Sequence, residues 1–434
     1  MSLTDATMLV VSSVIGVGIF LTPGTVADHL PSPGLFLAAW LVGGLLSLAG
    51  ALANAELGAM YPHAGGDYVY LREAYHPLAG FLVGWLSFFV IYAGTVATLA
   101  VGFVEGMTAF VSLGAWGKMV AAIGLTVFAS WVNYVGVRSG ARFNNVTGAI
   151  KLVALAALMV AGPLIGRGEI VHLRPLAGGA TTISFSGFGL ALSPILFTYL
   201  GWNASVYVAS EIRDPGRNVP RSLFLGLAVC TAIYVGMNAV YLYALPIDAL
   251  RGEVRVGEAA ARALFGPAGG TITAILVLAS VIGCLNATIL VGPRIAYAMA
   301  LDGRFFPGVQ RVHAFYKTPH IAIVAQALTA IALIVVLGSF PSVLDYTTFA
   351  IVLATMADTT ALYTLRWRKP ARPRPYRAWG YPVVPGLYLI ANAAIAGAML
   401  WGRPKECAIA LAVTATGAPF YWLFSRRRNL PGSV

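Results

Sequence analysis

Residues 14–20 read VIGVGIF and lie in the middle of the first apolar segment of the chain. Gly16 and Gly18 let the backbone leave the helix there without a side-chain clash. A second interruption, YLGWN at residues 199–203, lies within the sixth apolar segment. Unwound backbone in lipid is tolerated only where it lines a cavity or meets a ligand. Two interrupted spans, each the first of its half, therefore predict a transporter binding site near the middle of the membrane.

The composition is that of a polytopic membrane protein. The chain has 434 residues, of which 59% are hydrophobic and 10% charged, and its mean hydropathy is +0.80. A soluble domain carries about 25% charged residues, and a spanning helix needs roughly 20 mainly apolar ones. We predict an all-α protein with twelve transmembrane helices at residues 3–29, 33–60, 78–110, 118–136, 141–165, 184–210, 219–245, 271–300, 319–338, 342–365, 382–402 and 406–425.

The positions of the two breaks predict how these spans are organised. Spans 1–5 and 6–10 start on opposite sides of the membrane, which predicts a 5+5 inverted repeat followed by two extra helices. We expect one transporter domain over residues 1–434, with a first repeat at 1–166, a second at 183–369, and spans 11–12 with the tail at 370–434. The Pro- and Arg-rich segment 370–385 is expected to be an extended connector.

The net charge of +12 does not indicate a nucleic-acid partner, because most Lys and Arg residues fall in loops on one predicted side. The positive-inside rule makes that side cytoplasmic, with both termini there, in a plasma or inner cell membrane. We expect the basic run from Arg366 to Arg377 and the tail Arg426 to Arg428 to be solvated flanks that touch anionic lipid. Connections between spans are expected to be short, the longest near residues 246–270.

Cysteine and histidine usage argues against a metal site, a cofactor or an enzyme. Cys230, Cys284 and Cys407 fall within predicted spans and show neither a disulfide framework nor zinc-type spacing. The six histidines are scattered, and no nucleophile–base cluster is apparent.

The first break has the chemistry to recognise a zwitterion. The N–H groups of Val17 and Gly18 open the second half-helix, whose partial positive charge binds an anion such as a carboxylate. The carbonyls of Val14 and Ile15 end the first half-helix, and we expect them to be free to accept from an ammonium group. The alternative is that the two glycines only allow close helix packing.

The second break carries aromatic side chains that can cover a substrate. Gly201 is flanked by Tyr199, Leu200, Trp202 and Asn203, and Phe197 lies before it as a candidate gate. Packed aromatic residues are the alternative. Asn203 needs a partner in the bundle, for which substrate, water and the span-1 backbone are all open.

Lys151 is the most costly residue in the predicted spans, and an intramembrane lysine indicates a functional site. Its ammonium is expected between span 5 and the carbonyls of span 1, in the place of a sodium ion. It is then either a proton-coupling residue or a fixed cationic strut, with snorkelling to an interface as the alternative.

Several further polar residues lie in the predicted spans. Cys284 and Asn286 in span 8 are weaker pocket candidates, with ordinary helix packing as the alternative. Asp358 and Asn133 are expected to hydrogen-bond within the bundle. Glu56 is expected to serve structure or an inner gate. We expect the pocket to be apolar and to contain no acid placed to meet a cationic side chain, which argues against arginine, lysine or a polyamine as the main substrate.

The motifs together resemble the amino acid–polyamine–organocation (APC) superfamily, and within it the bacterial relatives of the L-type amino acid transporters. VIGVGIF at 14–20 resembles the family's I-x-G-S-G-I-F, and FTYLGWN at 197–203 matches F-x-Y-x-G-W-N. Residues 211–220 match E-x-x-x-P-x-R-N-x-P, and ELG at 56–58 through YP at 61–62, GGDY at 65–68 and YLREA at 70–74 resembles the span 2–3 signature. The resemblance covers roughly residues 3–380.

This resemblance implies the leucine-transporter fold and α-amino acid transport by alternating access. It implies that Val17 and Gly18 hold the carboxylate, that carbonyls of Val14 and of 197–200 hold the amine, and that Phe197 is the gate. Val90 and Ile91 align with side-chain-pocket positions, and Lys151 with a lysine used in place of sodium. The family's Ser is Val17 here, so a hydroxyl contact is missing. The substrate-binding candidates are thus Val14, Ile15, Gly16, Val17, Gly18, Val90, Ile91, Phe197, Tyr199, Leu200, Gly201, Trp202, Asn203, Cys284 and Asn286, with Lys151 for coupling.

We therefore predict sodium-independent transport, by exchange, of neutral L-amino acids. Proton-coupled symport through Lys151 is the alternative within the same class. A channel or an amino-acid sensor is the alternative in a different class, but no ring of like charge indicates a channel. We expect no obligatory protein partner, because no outer-loop cysteine is available to bind one covalently.

Overall fold

The computed structural model describes residues 1–61, 66–136, 140–174, 185–209 and 212–428. These residues form helices and no β-strand, which confirms the predicted all-α class. Within them, eleven helices are long and apolar enough to cross a membrane, and a shorter apolar helix covers Gly187–Thr198. The protein is therefore a multi-pass membrane protein. The motif residues Pro62, Gly65 and Glu211 lie outside the described residues.

The described residues of the first half of the chain form nine α-helices. They are α1 (Leu3–Val14), α2 (Gly18–Leu21), α3 (Pro23–His29), α4 (Pro33–Met60), α5 (Asp67–Ala74), α6 (Pro77–Leu86), α7 (Ala93–Met107), α8 (Ala115–Val135) and α9 (Gly140–Ile165). A π-helical segment, Ser87–Tyr92, joins α6 to α7, and a 3₁₀ turn covers Ile170–Leu173.

In the second half, the part that the structure describes forms nine more. They are α10 (Phe185–Thr198), α11 (Ala204–Tyr207), α12 (Pro215–Ala244), α13 (Ile247–Leu250), α14 (Val256–Leu301), α15 (His320–Leu337), α16 (Phe340–Arg368), α17 (Val383–Gly402) and α18 (Pro404–Arg428).

Ordinary end signals set many of these boundaries. Ser2 and Asp5 form a capping box at the start of α1, each accepting from the other's backbone N–H. Proline occupies the first turn of α4, α6, α12 and α16, where its missing N–H costs nothing. Gly338 ends α15 in the left-handed conformation with φ +68°.

Both predicted breaks are present. Helix α1 ends at Val14 and α2 begins at Gly18, while α10 ends at Thr198 and α11 begins at Ala204. Thr22 joins α2 to α3 with α-helical φ and ψ, so the second half of the first span runs on almost as one helix. The sixth segment, in contrast, is two short helices rather than one long apolar span.

The structure differs from the predicted spans in three places. A separate helix, α5, precedes the third span. That span itself contains the π-helical segment, a feature that recurs at functional sites and that hydropathy does not reveal. The predicted connection near 246–270 is largely helical, because α14 already begins at Val256 and turns at Gly266, where φ is +78°.

Helices at corresponding positions of the two halves pack against each other. α4 contacts α12, α7 contacts α14, and α8 contacts α15. The second half of the first broken span, α2 and α3, contacts α10 of the other. The two breaks are thereby brought face to face in the centre of the bundle.

One end of the bundle, which we call the basic end, gathers the N-terminus and the ends of α4, α14 and α16. Met1 accepts a backbone hydrogen bond from Arg213. Arg72 of α5 forms an ion pair with Asp302 at the end of α14. The connector after α16 returns to the end of α4 at this same end.

The expectation of a solvated basic flank is wrong for Arg366 and Arg374 of this connector. Glu56 is 0% exposed and accepts from Arg366 through both carboxylate oxygens, at 2.6 and 3.0 Å. Arg374 lies 3.2 Å from the same carboxylate, and the Ala378 backbone N–H donates to it at 2.6 Å. A buried carboxylate requires such partners, so these arginines serve the fold instead of lying free along lipid.

Candidate functional site

A cavity of about 100 Å³ lies at the junction of the two breaks. One water needs roughly 10–15 Å³ on the same measure, so the cavity has room for a small solute. Its walls come from the first break, the second break, the third span, α14, α16 and the start of α5. The lining residues are Ser13, Val14, Gly16, Val17, Gly18, Asp67, Ser87, Ile91, Tyr92, Thr95, Leu99, Phe197, Thr198, Leu200, Gly201, Asn203, Ala204, Cys284, Ala287, Thr288, Val291, Ile351, Ala354 and Thr355.

Glycines let the two breaks approach so closely. A Cβ atom at Gly18 would overlap the side chain of Thr198. Gly201 has φ +102°, and a Cβ there would lie 2.7 Å from the Ser13 carbonyl oxygen. Gly18 therefore lines the cavity and also permits close contact between the helices. Substrate binding and close helix packing, the two interpretations of the first break, are thus compatible at this residue.

The carbonyls at the first break are not free, contrary to expectation. The Tyr234 hydroxyl of α12 contacts the Val14 oxygen at 2.8 Å and the Thr198 oxygen at 3.0 Å. The Ile15 oxygen accepts from Lys151 Nζ at 3.3 Å and from Cys284 Sγ at 3.4 Å. Buried backbone acceptors without water need protein donors, and these three side chains supply them.

Of the candidates at the second break, Phe197, Leu200, Gly201 and Asn203 line the cavity. Tyr199 and Trp202 are buried but are not among the lining residues. The Tyr199 hydroxyl donates to the Trp40 carbonyl at 3.0 Å, and its ring meets that of Tyr234 edge-on at 4.9 Å. Tyr199 thus holds the second break in place by packing, as the alternative to a substrate cover had predicted.

The candidates on the third and eighth spans divide in the same way. Ile91 and Cys284 line the cavity, whereas Val90 and Asn286 do not. Val90 is 0% exposed and packs in the core. Asn286 accepts from Asn133 Nδ2 at 2.8 Å, so its amide serves contact between α14 and α8, as does that of Asn133.

Lys151 lies where the sequence predicted it, with its ammonium donating to the Ile15 carbonyl at the end of the first half-helix. Its Nζ also lies 3.3 Å from Cys284 Sγ. Lys151 also borders a second, mainly apolar cavity of about 540 Å³ between α9 and α14. The ammonium thus points to the break, which argues against snorkelling.

Sequence reasoning missed the hydroxyl side chains that line the cavity, because single Ser and Thr residues in apolar spans carry no periodic signal. They are Ser13, Ser87, Thr95, Thr198, Thr288 and Thr355. It also missed the Tyr234 bridge, since many tyrosines lie in the spans and nothing local distinguishes this one.

The expectation of a cavity without an acid is wrong. Asp67, the first residue of α5, lines the cavity and is 6% exposed. It belongs to the GGDY motif and lies outside the predicted spans, so hydropathy did not mark it as a cavity residue. Among the described residues, no group of three or more His, Cys, Asp or Glu side chains is placed to hold a metal ion.

A cavity between two opposed helix breaks, lined by residues of both, is suited to a small zwitterion. The family model of amino acid permeases matches residues 1–423. The chain belongs to the amino acid permease family. It is a membrane transporter and not an enzyme, and the match covers all the elements around the cavity.

Relatives of this permease have similar lengths. It is 31% identical over 430 residues to the serine/threonine exchanger SteT of Bacillus subtilis, covering 98% of this chain and 96% of that protein. It is 31% identical over 431 residues to the human large neutral amino acids transporter small subunit 2, covering 97% of this chain and 79% of that protein. It is 29% identical over 439 residues to the mouse Asc-type amino acid transporter 1, covering 100% of this chain and 82% of that protein.

Proposed function

We propose that this permease exchanges neutral L-amino acids across the cell membrane by alternating access, without sodium. The observation that carries the proposal is the cavity at the junction of the two breaks. Its walls are mainly apolar side chains with backbone polar groups at the breaks, which suits a zwitterion with a small neutral side chain. The names of the relatives, a serine/threonine exchanger and neutral amino acid transporters, agree with this substrate class.

The breaks provide both halves of zwitterion recognition. We assign the substrate carboxylate to the N–H groups of Val17 and Gly18, at the start of a half-helix. We assign the amine to the Val14 carbonyl and to carbonyls of residues 197–200. A carbonyl oxygen has two lone pairs, so the Tyr234 hydrogen bond to Val14 leaves one acceptor for the substrate. Phe197, 5% exposed at the cavity wall, is assigned as the gate.

The two five-helix halves are proposed to be inverted repeats of the leucine-transporter type. A pseudo-two-fold axis in the membrane plane makes equivalent helices neighbours across it. The pairing of α4 with α12, α7 with α14 and α8 with α15 supports this relation. We keep twelve spans as a proposal, with α10 and α11 together forming the sixth.

Lys151 supports sodium independence. A fixed ammonium that donates to the Ile15 carbonyl at 3.3 Å supplies the positive charge a bound sodium ion would bring to unwound backbone. In this role Lys151 is a strut. If transport proves to be proton-coupled, Lys151 is the first residue to test as the group that carries the proton.

The distribution of basic residues supports a cytoplasmic basic end, with both termini on that side. The chain has no cysteine outside its predicted spans, so we propose that it acts without a covalently attached partner.

The test uses purified protein in liposomes that are empty or loaded with a mixture of amino acids. Uptake of labelled alanine, serine, threonine and leucine is followed with and without sodium and with and without an inward proton gradient. We expect uptake only into loaded liposomes, unaffected by sodium or the gradient. Uptake into empty liposomes driven by protons would favour symport, and uptake that needs sodium would overturn the proposal.

A further inference from the structure

The second cavity, of about 540 Å³, runs along two antiparallel helices. One stripe of α9 and one stripe of α14 form its long walls. At one end of this helix pair, Lys151 Nζ lies 3.3 Å from Cys284 Sγ. At the other end, the backbone N–H of Arg167 donates to the Leu264 carbonyl at 3.0 Å. The cavity is therefore a long groove, separate from the central cavity between the two breaks.

The long side of this groove is open at the surface of the bundle. Ile150, Ile165 and Ile272 line it and are 56%, 76% and 59% exposed. They belong to helices that are long and apolar enough to cross a membrane, so in a bilayer these side chains meet acyl chains and not water. The helix rise from Lys151 to Ile165 is about 20 Å. The groove thus has room for one acyl chain, since two opposed chains fill a hydrocarbon core of roughly 30 Å.

One end of the groove carries a positive charge. The part-buried Lys151 ammonium lies 3.3 Å from the Ile15 oxygen and 3.3 Å from Cys284 Sγ. Among the described residues, no carboxylate forms an ion pair with it. An ammonium group has three donors, so these two contacts leave one for a further acceptor. Charged groups inside a membrane normally pair with an opposite charge, and this one has a donor and a charge still to be matched.

An unsatisfied hydroxyl lies at the same end. Ser280, one turn before Cys284 on α14, lines the groove and is 2% exposed. Its Oγ has no hydrogen-bond partner within the part of the chain that the structure describes. A buried hydroxyl without a partner is costly. A cation and a free hydroxyl thus share one end of a groove that is otherwise mainly apolar.

We propose that this groove binds a single-chain anionic amphiphile, a long-chain fatty acid. Its carboxylate accepts from Lys151 and Ser280, and its chain runs between α9 and α14 towards Ile165. The carboxylate supplies the missing negative charge through a charge-assisted hydrogen bond, and the chain covers the exposed apolar wall. A phospholipid fits less well, because Lys151 lies well inside α9 and would draw a bulky headgroup and a second chain away from the membrane surface.

Resting on the proposed transport function, we further infer that the bound fatty acid slows exchange. Ile15 and Phe20, on either side of the first break, both line the groove. α1 contacts α9, and α2 contacts α14. A chain held between α9 and α14 therefore fastens both parts of the broken first span to these helices, whereas alternating access requires packed helices to move past one another.

Binding is tested with palmitate that carries a photoreactive diazirine on its chain, using purified protein in detergent, and does not depend on transport. We expect cross-links to groove residues of α9 and α14, suppressed by excess palmitate but not by hexadecanol or palmitate methyl ester. Lys151→Gln should weaken labelling several-fold. Cross-links elsewhere, or equal competition by the two neutral analogues, would overturn the proposal. Equal competition by phosphatidylglycerol would overturn it in favour of a phospholipid.

Two neighbouring alanines of α9 provide a matched pair of variants. Ala156 and Ala157 are both exposed, but only Ala157 lines the groove. Ala157→Phe places a ring in the path of the chain and should remove the specific labelling, whereas Ala156→Phe should retain it. Equal labelling of the two variants would place the fatty acid outside the groove and reject the site.

The effect on transport is tested by adding palmitate to liposomes loaded with amino acids, with each variant compared with its own rate without palmitate. We expect exchange to slow several-fold in the wild type and in Ala156→Phe, and to be unchanged by palmitate in Ala157→Phe. Equal inhibition of both variants would show that palmitate acts through the bilayer and would reject the regulatory role. Failure of all transport with specific labelling present would reject the proposed function but not the fatty-acid site.

Discussion

At the scale of single residues, the hydroxyl of Tyr234 holds the two breaks together. It contacts the last carbonyl of α1 and the last carbonyl of α10, which end the two half-helices. The side chain is 0% exposed, so water cannot replace it in this role. A single side chain of α12 thus fixes the distance between the two backbones that face the cavity.

We predict that Tyr234→Phe destabilises the protein and slows exchange. Removing one hydroxyl leaves two buried carbonyls with one donor fewer, and an unsatisfied buried acceptor costs about 1–3 kcal/mol. The melting temperature in detergent and the exchange rate in liposomes measure the two effects. Tyr241→Phe is the matched control, because Tyr241 is a buried tyrosine on the same helix whose hydroxyl has no partner among the described residues. Equal melting temperatures for the two variants would contradict the role given to Tyr234.

Gly18 shows why a simple substitution at the break does not isolate substrate binding. Replacing Gly18 with Val is expected to abolish transport, since the N–H groups at the break are assigned to the carboxylate. The same Cβ atom would also overlap Thr198 and push α2 away from α10. Loss of activity therefore fits both interpretations, and only normal transport by this variant would reject the carboxylate assignment.

At the scale of elements, the connector between α16 and α17 is held by one buried carboxylate. Glu56 accepts hydrogen bonds from Arg366 and from the backbone N–H of Ala378, and it forms an ion pair with Arg374. The Arg366 guanidinium also lies 3.8 Å over the ring of Tyr381. These contacts tie the connector to the end of α4 at the basic end, close to α5.

Glu56→Gln is predicted to loosen this connector strongly. Breaking a buried ion pair by removing one partner costs about 3–5 kcal/mol, because the arginines keep their charge and lose the carboxylate. Thermal unfolding and limited proteolysis after residue 369 report the change. A melting temperature equal to that of the wild type would show that the connector is not held by Glu56.

Glu73→Gln is the control for this prediction, since Glu73 pairs with the partly exposed Lys369 at 2.9 Å and such pairs contribute less than about 1 kcal/mol. The hydrogen bond from Lys369 lowers the pKa of Glu73. The small contribution of this pair is therefore present above the ordinary pKa of a glutamate and disappears as the pH falls through the lowered value.

At the scale of the whole molecule, alternating access requires the central cavity to exchange with water on each side in turn. All three cysteines are buried, but only Cys284 among them lines the cavity within the described structure. The chain thus contains a natural reporter at the site and two natural controls elsewhere.

We predict that a small hydrophilic thiol reagent inhibits transport through Cys284. Saturating substrate should slow this inhibition several-fold, because it occupies the cavity. Cys284→Ala should be insensitive, whereas Cys230→Ala and Cys407→Ala should remain as sensitive as the wild type. Residual transport after labelling measures the effect, and undiminished inhibition of Cys284→Ala would place the reactive thiol outside the cavity.

The sequence by itself determined the helical class, the membrane location and the positions of both breaks. These depend on local properties: apolar length, glycine at points where the helix must open, and proline at helix starts. It also predicted that Lys151 meets the end of the first half-helix, because a buried ammonium must find acceptors and unwound carbonyls need donors.

Only the tertiary structure decided which groups meet at the site. Tyr234 and Val14 are separated by 220 positions, and Asn54 and Asp358 by 304, so no local pattern links them. Asp67 lies outside the predicted spans, so hydropathy did not mark it as a cavity residue. The basic connector was predicted to be a solvated flank because its carboxylate partner, Glu56, lies on a distant helix. Partner choice between buried polar groups depends on how the helices pack, and that packing is a property of the whole bundle.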